Sequence, residues 1–266
     1  MANRKSAVPA KSQRRRHYAT PALEKGLDIL ELFAREPHTL TVSEVARRLN
    51  RTVSEIFRML VCLERRGYLS QSSEDDRYRL TLLLFKLAQE HPPTKRLISE
   101  ADPIMHSVAH DLRQSCHLGI IDGASVVIVA QVDSPESPGF YVKLGSRVDL
   151  MHAATGHVIL AHQSPDAAAR AIAEWSRETQ KPEPRDLQEH LRRIRRRGHE
   201  QRNSYEVSGV TNISVPIFND QNSAIAGLTV PYVTRLEDNI SKEDVLKRLK
   251  SASEEMSIAL GCTLKH

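Results

Sequence analysis

Six side chains between residues 47 and 58 have the chemistry to hold a nucleic acid: Arg47, Arg48, Thr52, Ser54, Glu55 and Arg58. A guanidinium fork bonds phosphate oxygens or a guanine edge, a hydroxyl bonds phosphate, and a carboxylate accepts from the cytosine amino group. Ser54 and Arg58 stand four residues apart, so on a helix they share a face. Arg58 suits a guanine edge or a phosphate. Arg47 and Arg48 suit phosphates, as do Arg77 and Arg79 further along. The run Arg14, Arg15 and Arg16 suits phosphates or a minor groove. Each arginine can instead be a solvated surface charge, and Glu55 has a second use as a helix cap.

Other reactive residue types do not converge. His106 and His110 have metal-ligand spacing, but the residues between them include no glutamate, so HExxH is absent and a surface pair is expected. His152, His157 and His162 recur every five residues, which spreads them round a helix. Cys116 and His117 are adjacent, and neighbours on a strand point to opposite faces. GxSxG, P-loop and dinucleotide-binding motifs are missing. No catalytic residue, metal or cofactor is expected. Cysteines at 62, 116 and 262 form no pairing pattern and suit a reducing cytoplasm.

The elements that would position the basic face are legible. Thr52 and Glu55 have capping-box spacing, as do Thr41 and Glu44. A helix is expected from Val53 to a stop at Gly67, with Ile56, Phe57, Leu60 and Leu63 on its apolar face. Before it, Val42, Val45, Ala46 and Leu49 mark a shorter helix. Two helices on so short a connection must cross steeply, as in a helix-turn-helix. Tyr68-Leu69, a polar turn and Tyr78-Arg79-Leu80 read as a two-stranded wing. Thr20-Pro21 opens an earlier helix, with Leu23, Leu27, Leu30 and Phe33 inward, and Pro37 ends it.

Charge agrees with this placement. The chain has 38 Lys and Arg against 33 Asp and Glu, a formal +5. Residues 1–21 hold six cations and no acid, so the remainder is at −1. Within residues 41–72, six arginines face three glutamates. Such a patch fits a nucleic-acid partner. A small helical bundle with a hairpin that binds nothing is the bland alternative. No apolar run approaches the roughly 18 residues of a membrane span, and no signal peptide is visible.

Residues 1–19 read as a disordered basic arm, 20–80 as a winged helix-turn-helix, 81–97 as a linker helix and 98–266 as a second domain. Thr81 to Glu90 is helical by pattern, His91-Pro92-Pro93 breaks it, and Thr94 to Ser115 is helical again. Strong alternation follows from Cys116, with a hairpin at Asp122-Gly123. Residues 139–150 give a third strand. Helices are expected at 153–162, 166–177 and 185–197, and strands at 199–203, 211–220 and 223–233. Ser241 caps a last helix, with Asp244 at its third position. The fold class is α+β.

The segments ATPALEKGLDILELF, LTVSEVARRLNRTVSEIFRMLVCLERRGYL and RYRL resemble the IclR family of bacterial transcriptional regulators, over about residues 20–262. The resemblance implies an N-terminal winged helix-turn-helix, a helical linker and a C-terminal GAF-like α/β effector-binding domain. It implies double-stranded operator DNA and a small-molecule effector as partners, in a homodimer or a dimer of dimers. It also implies a cytoplasmic, nucleoid-associated bacterial protein with no membrane contact. One departure stands in the recognition helix, where the family's Pro-Lys-Ser-Thr reads Thr52, Val53, Ser54, Glu55.

The family's pocket lies between the sheet and the short helix after the third strand. Ala154 and Thr155 would offer free N–H groups to a carboxylate there. Family positions for histidine and lysine fall on Met151 and His157. An acidic position falls on Arg202, a cysteine on Asn212, and a serine pair on Thr229 and Pro231. Arg202 and Asn212 would clamp an anion, with Val142 and Leu144 as apolar wall. The expected effector is a small organic acid. The competing readings are an interaction or ligand-sensing module that binds no DNA, and an enzyme using the same pocket.

Overall fold

A computed structural model describes residues 20–263 other than 73, 91, 138 and 236–239. It divides into two units, residues 1–90 and 91–266. Arg14, Arg15 and Arg16 lie outside the described residues.

In the first unit, α1 (Pro21–Arg35) starts with Pro at its first turn and Thr20 as cap. α2 (Val42–Arg48) begins at a complete capping box, where Thr41 N–H donates to Glu44 at 2.8 Å and Glu44 N–H to the Thr41 hydroxyl at 3.3 Å. Asn50 turns the chain in the left-handed region, at φ 51°, a conformation asparagine tolerates better than most residues. The Arg51 N–H closes the turn on the Ala46 carbonyl at 2.9 Å. α3 (Val53–Arg65) follows, its first turn tied by Thr52 N–H to the Glu55 carboxylate at 3.1 Å. The wing is β1 (Leu69–Gln71) antiparallel to β2 (Tyr78–Leu80), and Leu40 bridges to Tyr78. Ile29, Phe33, Leu40, Val45, Ile56, Leu60, Leu69 and Tyr78 form the core.

Two expected faces are rotated. Leu23 and Leu27 are exposed, because Ile29 and Phe33, one turn apart, set the buried side of α1. Phe57 is 51% exposed, because Ile56 and Leu60 set the buried side of α3 and Phe57 lies about 100° round from Ile56. α4 (Leu83–Glu90) ends this unit and starts two residues later than expected, since the Thr81 hydroxyl caps it by accepting the Leu83 N–H at 3.2 Å.

The second unit opens on α5 (Pro92–Leu112), which runs through Pro103. Its six-stranded sheet contains β3 (Cys116–Asp122), β4 (Ser125–Val132), β5 (Arg147–Asp149), β6 (Glu200–Asn203), β7 (Val210–Phe218) and β8 (Ala224–Val233). The order is β5-β4-β3-β8-β7-β6, antiparallel throughout. The third strand is shorter than expected. Residues 140–144 are irregular, and pairing with β4 starts at Arg147. The later hairpin turns at Asn219, whose carboxamide oxygen accepts from Gln221 and Ser223.

Helices cover both faces. α5 and α9 (Lys242–Ala259) bury Met105, Val108, Leu249 and Met256 against Leu118, Val215 and Leu228. On the other face lies α6 (Ala154–His162), flanked by α7 (Pro165–Thr179) and α8 (Leu187–Arg197). α9 starts at the Ser241–Asp244 capping box.

Candidate nucleic-acid interface and ligand cavities

On α3 the exposed surface carries Val53, Ser54, Phe57, Arg58, Val61, Cys62 and Arg65. Arg58, and Arg47 on α2, are exposed and have no ion-pair partner among the described residues. Other candidates are already engaged. Glu55 accepts from the Thr52 hydroxyl at 2.9 Å and holds Lys25 Nζ at 2.6 Å. The Lys25 ammonium first, then the cap, hold its pKa down to about 2. Arg48 pairs with Glu36. Arg77 donates to the Thr39 carbonyl at 2.9 Å and to Glu44 at 3.1 Å, and Arg79 to the Ser70 hydroxyl. Two free arginines on adjoining helices, with Ser54 between them in sequence, form a basic surface fit for a groove.

In the second unit α6 sits unusually close to the sheet. Gly119 and Gly227 are cross-strand partners. A Cβ at Gly227 would lie 2.8 Å from Thr155 Cγ2, and one at Gly119 only 3.0 Å from the same atom. The bare strands let Thr155, in the first turn of α6, descend onto β8. Its hydroxyl meets that of Thr229 at 2.7 Å, and Thr229 meets Ser214 at 2.6 Å. Asp149 shapes the turn before the helix, accepting from Met151 N–H at 2.9 Å and from Trp175 Nε1 at 3.1 Å.

A cavity opens at this end of α6. A water molecule's centre can move through about 60 Å³ of it. Its lining includes the apolar Val126, Ile128, Phe140, Val142 and Val148 and the polar His117, Thr155, Ser204, Glu206, Asn212 and Thr229. The N–H groups of Ala154 and Thr155 precede the first bond inside the helix and have no carbonyl partner within it. Burial holds the His117 imidazole near pKa 4, so it is neutral, and its Nδ1 has no partner. At the mouth His152 stacks on Tyr205 at 4.6 Å. Burial, then Glu206, pushes the Tyr205 phenol up to about 12. The Ser115 hydroxyl anchors the Phe140 carbonyl.

The structure thus brings Val142, Ala154, Thr155, Asn212 and Thr229 together. Leu144 is exposed, Pro231 is buried opposite Asn212 on β7, and both lie outside this lining. Met151 and Arg202 line a second cavity, with about 350 Å³ open to a water's centre, beside His157, His190 and Glu200. Arg202 and Asn212 are cross-strand partners, but they open on different cavities. Arg202 Nη1 instead faces His157 Nδ1 at 3.1 Å. Burial first, then Arg202, lowers the His157 pKa to about 3.

Sequence reasoning did not find His117, Phe140, His152 or Tyr205. Only His117 carried a signal, as the polar residue on the face of β3 opposite Cys116. Cys116 itself is buried on the α5 side, where burial pushes its thiol up to about 12. His106 and His110 face Asp102 and Asp111 on the surface. Among the described residues no helix is long and apolar enough to cross a membrane.

Such a molecule belongs to the class of DNA-binding regulators with a separate ligand-sensing unit. The IclR helix-turn-helix domain matches residues 22–73, and the family "Bacterial transcriptional regulator IclR C-terminal" matches residues 93–258. The chain belongs to the IclR family and is a DNA-binding transcriptional regulator. It is 27% identical over 230 residues to the transcriptional regulator KdgR of Escherichia coli, covering 85% of this chain and 88% of that protein. The Thermotoga maritima IclR crystal structure superposes with a TM-score of 0.71 at 27% identity, over 90% of this chain and 98% of that one. An IclR homologue from Microbacterium hydrocarbonoxydans, solved in complex with 4-hydroxybenzoate, shares the fold at a TM-score of 0.70 and 23% identity, over 90% and 98%.

Proposed function

We propose that the exposed face of α3 reads an operator and that the cavity at the head of α6 takes a small carboxylic acid with a flat, apolar body. One observation carries the effector reading: the cavity is lined by five apolar side chains together with the first turn of α6, whose Thr155 hydroxyl is tied to Thr229 and through it to Ser214. The amides and the helix dipole would hold the carboxylate, and the Val126, Ile128 and Phe140 side would hold the ring. The 4-hydroxybenzoate complex of the M. hydrocarbonoxydans homologue supports a ligand of this class. Arg202 is no part of this site, and Arg58 and Arg47 lead the DNA contacts.

Calorimetry on the full chain with a panel of aromatic and aliphatic carboxylic acids tests it. Aromatic acids are expected to bind one per chain, and Thr155→Val to weaken them at least tenfold. Heat from none of the acids, or equal affinity in the variant, rejects the assignment.

The active form is a homodimer acting on the chromosome in the cytoplasm. Exposed Leu23 and Leu27 on α1, with Leu82, Phe85 and Leu87 at α4, are apolar surface that a second subunit would cover. Two-fold pairing would match a palindromic operator. Sedimentation of a monomer at micromolar concentration would contradict it.

A further inference from the structure

The second cavity holds a donor set that the effector reading does not use. His157 on α6, His190 on α8 and Glu200 on β6 each offer one ligand atom, and all three atoms lie within 4.8 Å of one another. His190 Nε2 lies 2.5 Å and His157 Nδ1 3.9 Å from Glu200 Oε2. His157 and Glu200 are each only 5% exposed.

We propose that these three residues bind a single divalent cation of the zinc class. Two imidazoles and one carboxylate are a borderline-soft set with the composition of three-ligand zinc sites, which leave a fourth position open. Ligand bonds of about 2.0–2.1 Å at tetrahedral angles put donor atoms about 3.3 Å apart. The two donor separations to Glu200, 2.5 Å and 3.9 Å, bracket that value. Among the described residues the only ion-pair partners of the carboxylate are the two imidazoles. Glu200 Oε2 is buried with no donor aligned on it, although His190 is in contact, and a buried carboxylate without a firm partner is costly. A cation between the three donors removes that cost and ties α6, α8 and β6 together.

Arg202 is the competitor. Its Nη1 occupies the His157 Nδ1 lone pair at 3.1 Å, the same lone pair a metal needs. Metal uptake therefore swings the half-buried guanidinium into the open volume of the cavity. There it flanks the fourth position, which suits a water or an anion.

The test uses the full chain stripped by a chelator and titrated with Zn2+ by calorimetry and with Co2+ by visible absorption. One Co2+ per chain, with the intense ligand-field bands of tetrahedral cobalt, is expected. His190→Ala, on the rim of the cavity, should lower the affinity at least tenfold with the circular dichroism unchanged, and Glu200→Gln should do the same. Arg202→Ala should raise it. Absence of stoichiometric uptake, or uptake undiminished in His190→Ala, overturns the site. The aromatic-acid panel reads the other cavity, so either result can fail without the other.

Discussion

Thr229 is the hinge of the polar lining. Its hydroxyl meets both Thr155 and Ser214, and all three residues are buried. Thr229→Val keeps the shape and removes the hydroxyl, stranding two others. A loss of about 1–3 kcal/mol in unfolding free energy is expected for an unsatisfied buried group. Denaturant titration measures it, and a change within error would show that water replaces the hydroxyl. Glu55 makes a prediction about pH. Its carboxyl titrates near 2, against 4.5 when free, because Lys25 and the helix cap favour the ionised form. A depressed folded pKa means that its stabilisation is complete above about 4.5 and disappears as pH falls through about 2. The urea midpoints of parent and Glu55→Gln should therefore differ at neutral pH and converge across that window. A constant difference down to pH 2 would place the effect elsewhere.

At the scale of elements, the close seat of α6 on β3 and β8 shapes the cavity proposed for the effector. Gly227→Ala puts a Cβ 2.8 Å from Thr155 Cγ2 and 3.3 Å from the Thr155 carbonyl oxygen, in the first turn of the helix. Helix displacement should cost about 1–3 kcal/mol, as in other overpacked cores, and should weaken acid binding. Unchanged thermal midpoint and calorimetry would show that α6 has slack. The recognition helix makes a separate prediction. Using a genomic fragment that the protein retains, Arg58→Ala should cost about 1–3 kcal/mol of specific binding. Arg47→Ala should weaken all sequences alike and reduce the salt slope by about one. Equal gel shifts for parent and Arg58→Ala would remove that residue from the reading face.

Legibility follows from the same elements. Caps are local chemistry, so Thr41–Glu44 and Ser241–Asp244 could be read from three-residue spacings and stand in the structure. The face of a helix depends on what packs on it. The expected stripe of α1 ran Leu23, Leu27, Leu30 and Phe33; Phe33 is buried as expected, but its buried partner is Ile29, while Leu23 and Leu27 face outward. The cavity was half legible. Thr155, Asn212 and Thr229 were reached, whereas Phe140 and Tyr205 come from irregular loops 23 and 88 residues distant from His117, and no periodicity marks them.

For the whole molecule, each of the two units buries its own core residues, so two unfolding transitions are expected. The chain's single tryptophan, Trp175, is buried in the second unit against Asp149. Tryptophan fluorescence during heating therefore reports that unit, and circular dichroism reports both. An effector at a hundred times its Kd adds about 2.7 kcal/mol to the unit it binds, so the fluorescence transition should rise. Regulation demands more than binding. An effector changes operator affinity only by its preference for one arrangement of the chain, and the coupling is reciprocal. Operator DNA, which touches the first unit, must then change effector affinity by the factor with which effector changes operator affinity. Calorimetry of the acid with and without a saturating operator fragment measures one factor, and gel shifts with and without saturating acid measure the other. Equal factors different from one establish regulation through the chain. Factors of one would leave two binding units that share a chain and do not communicate.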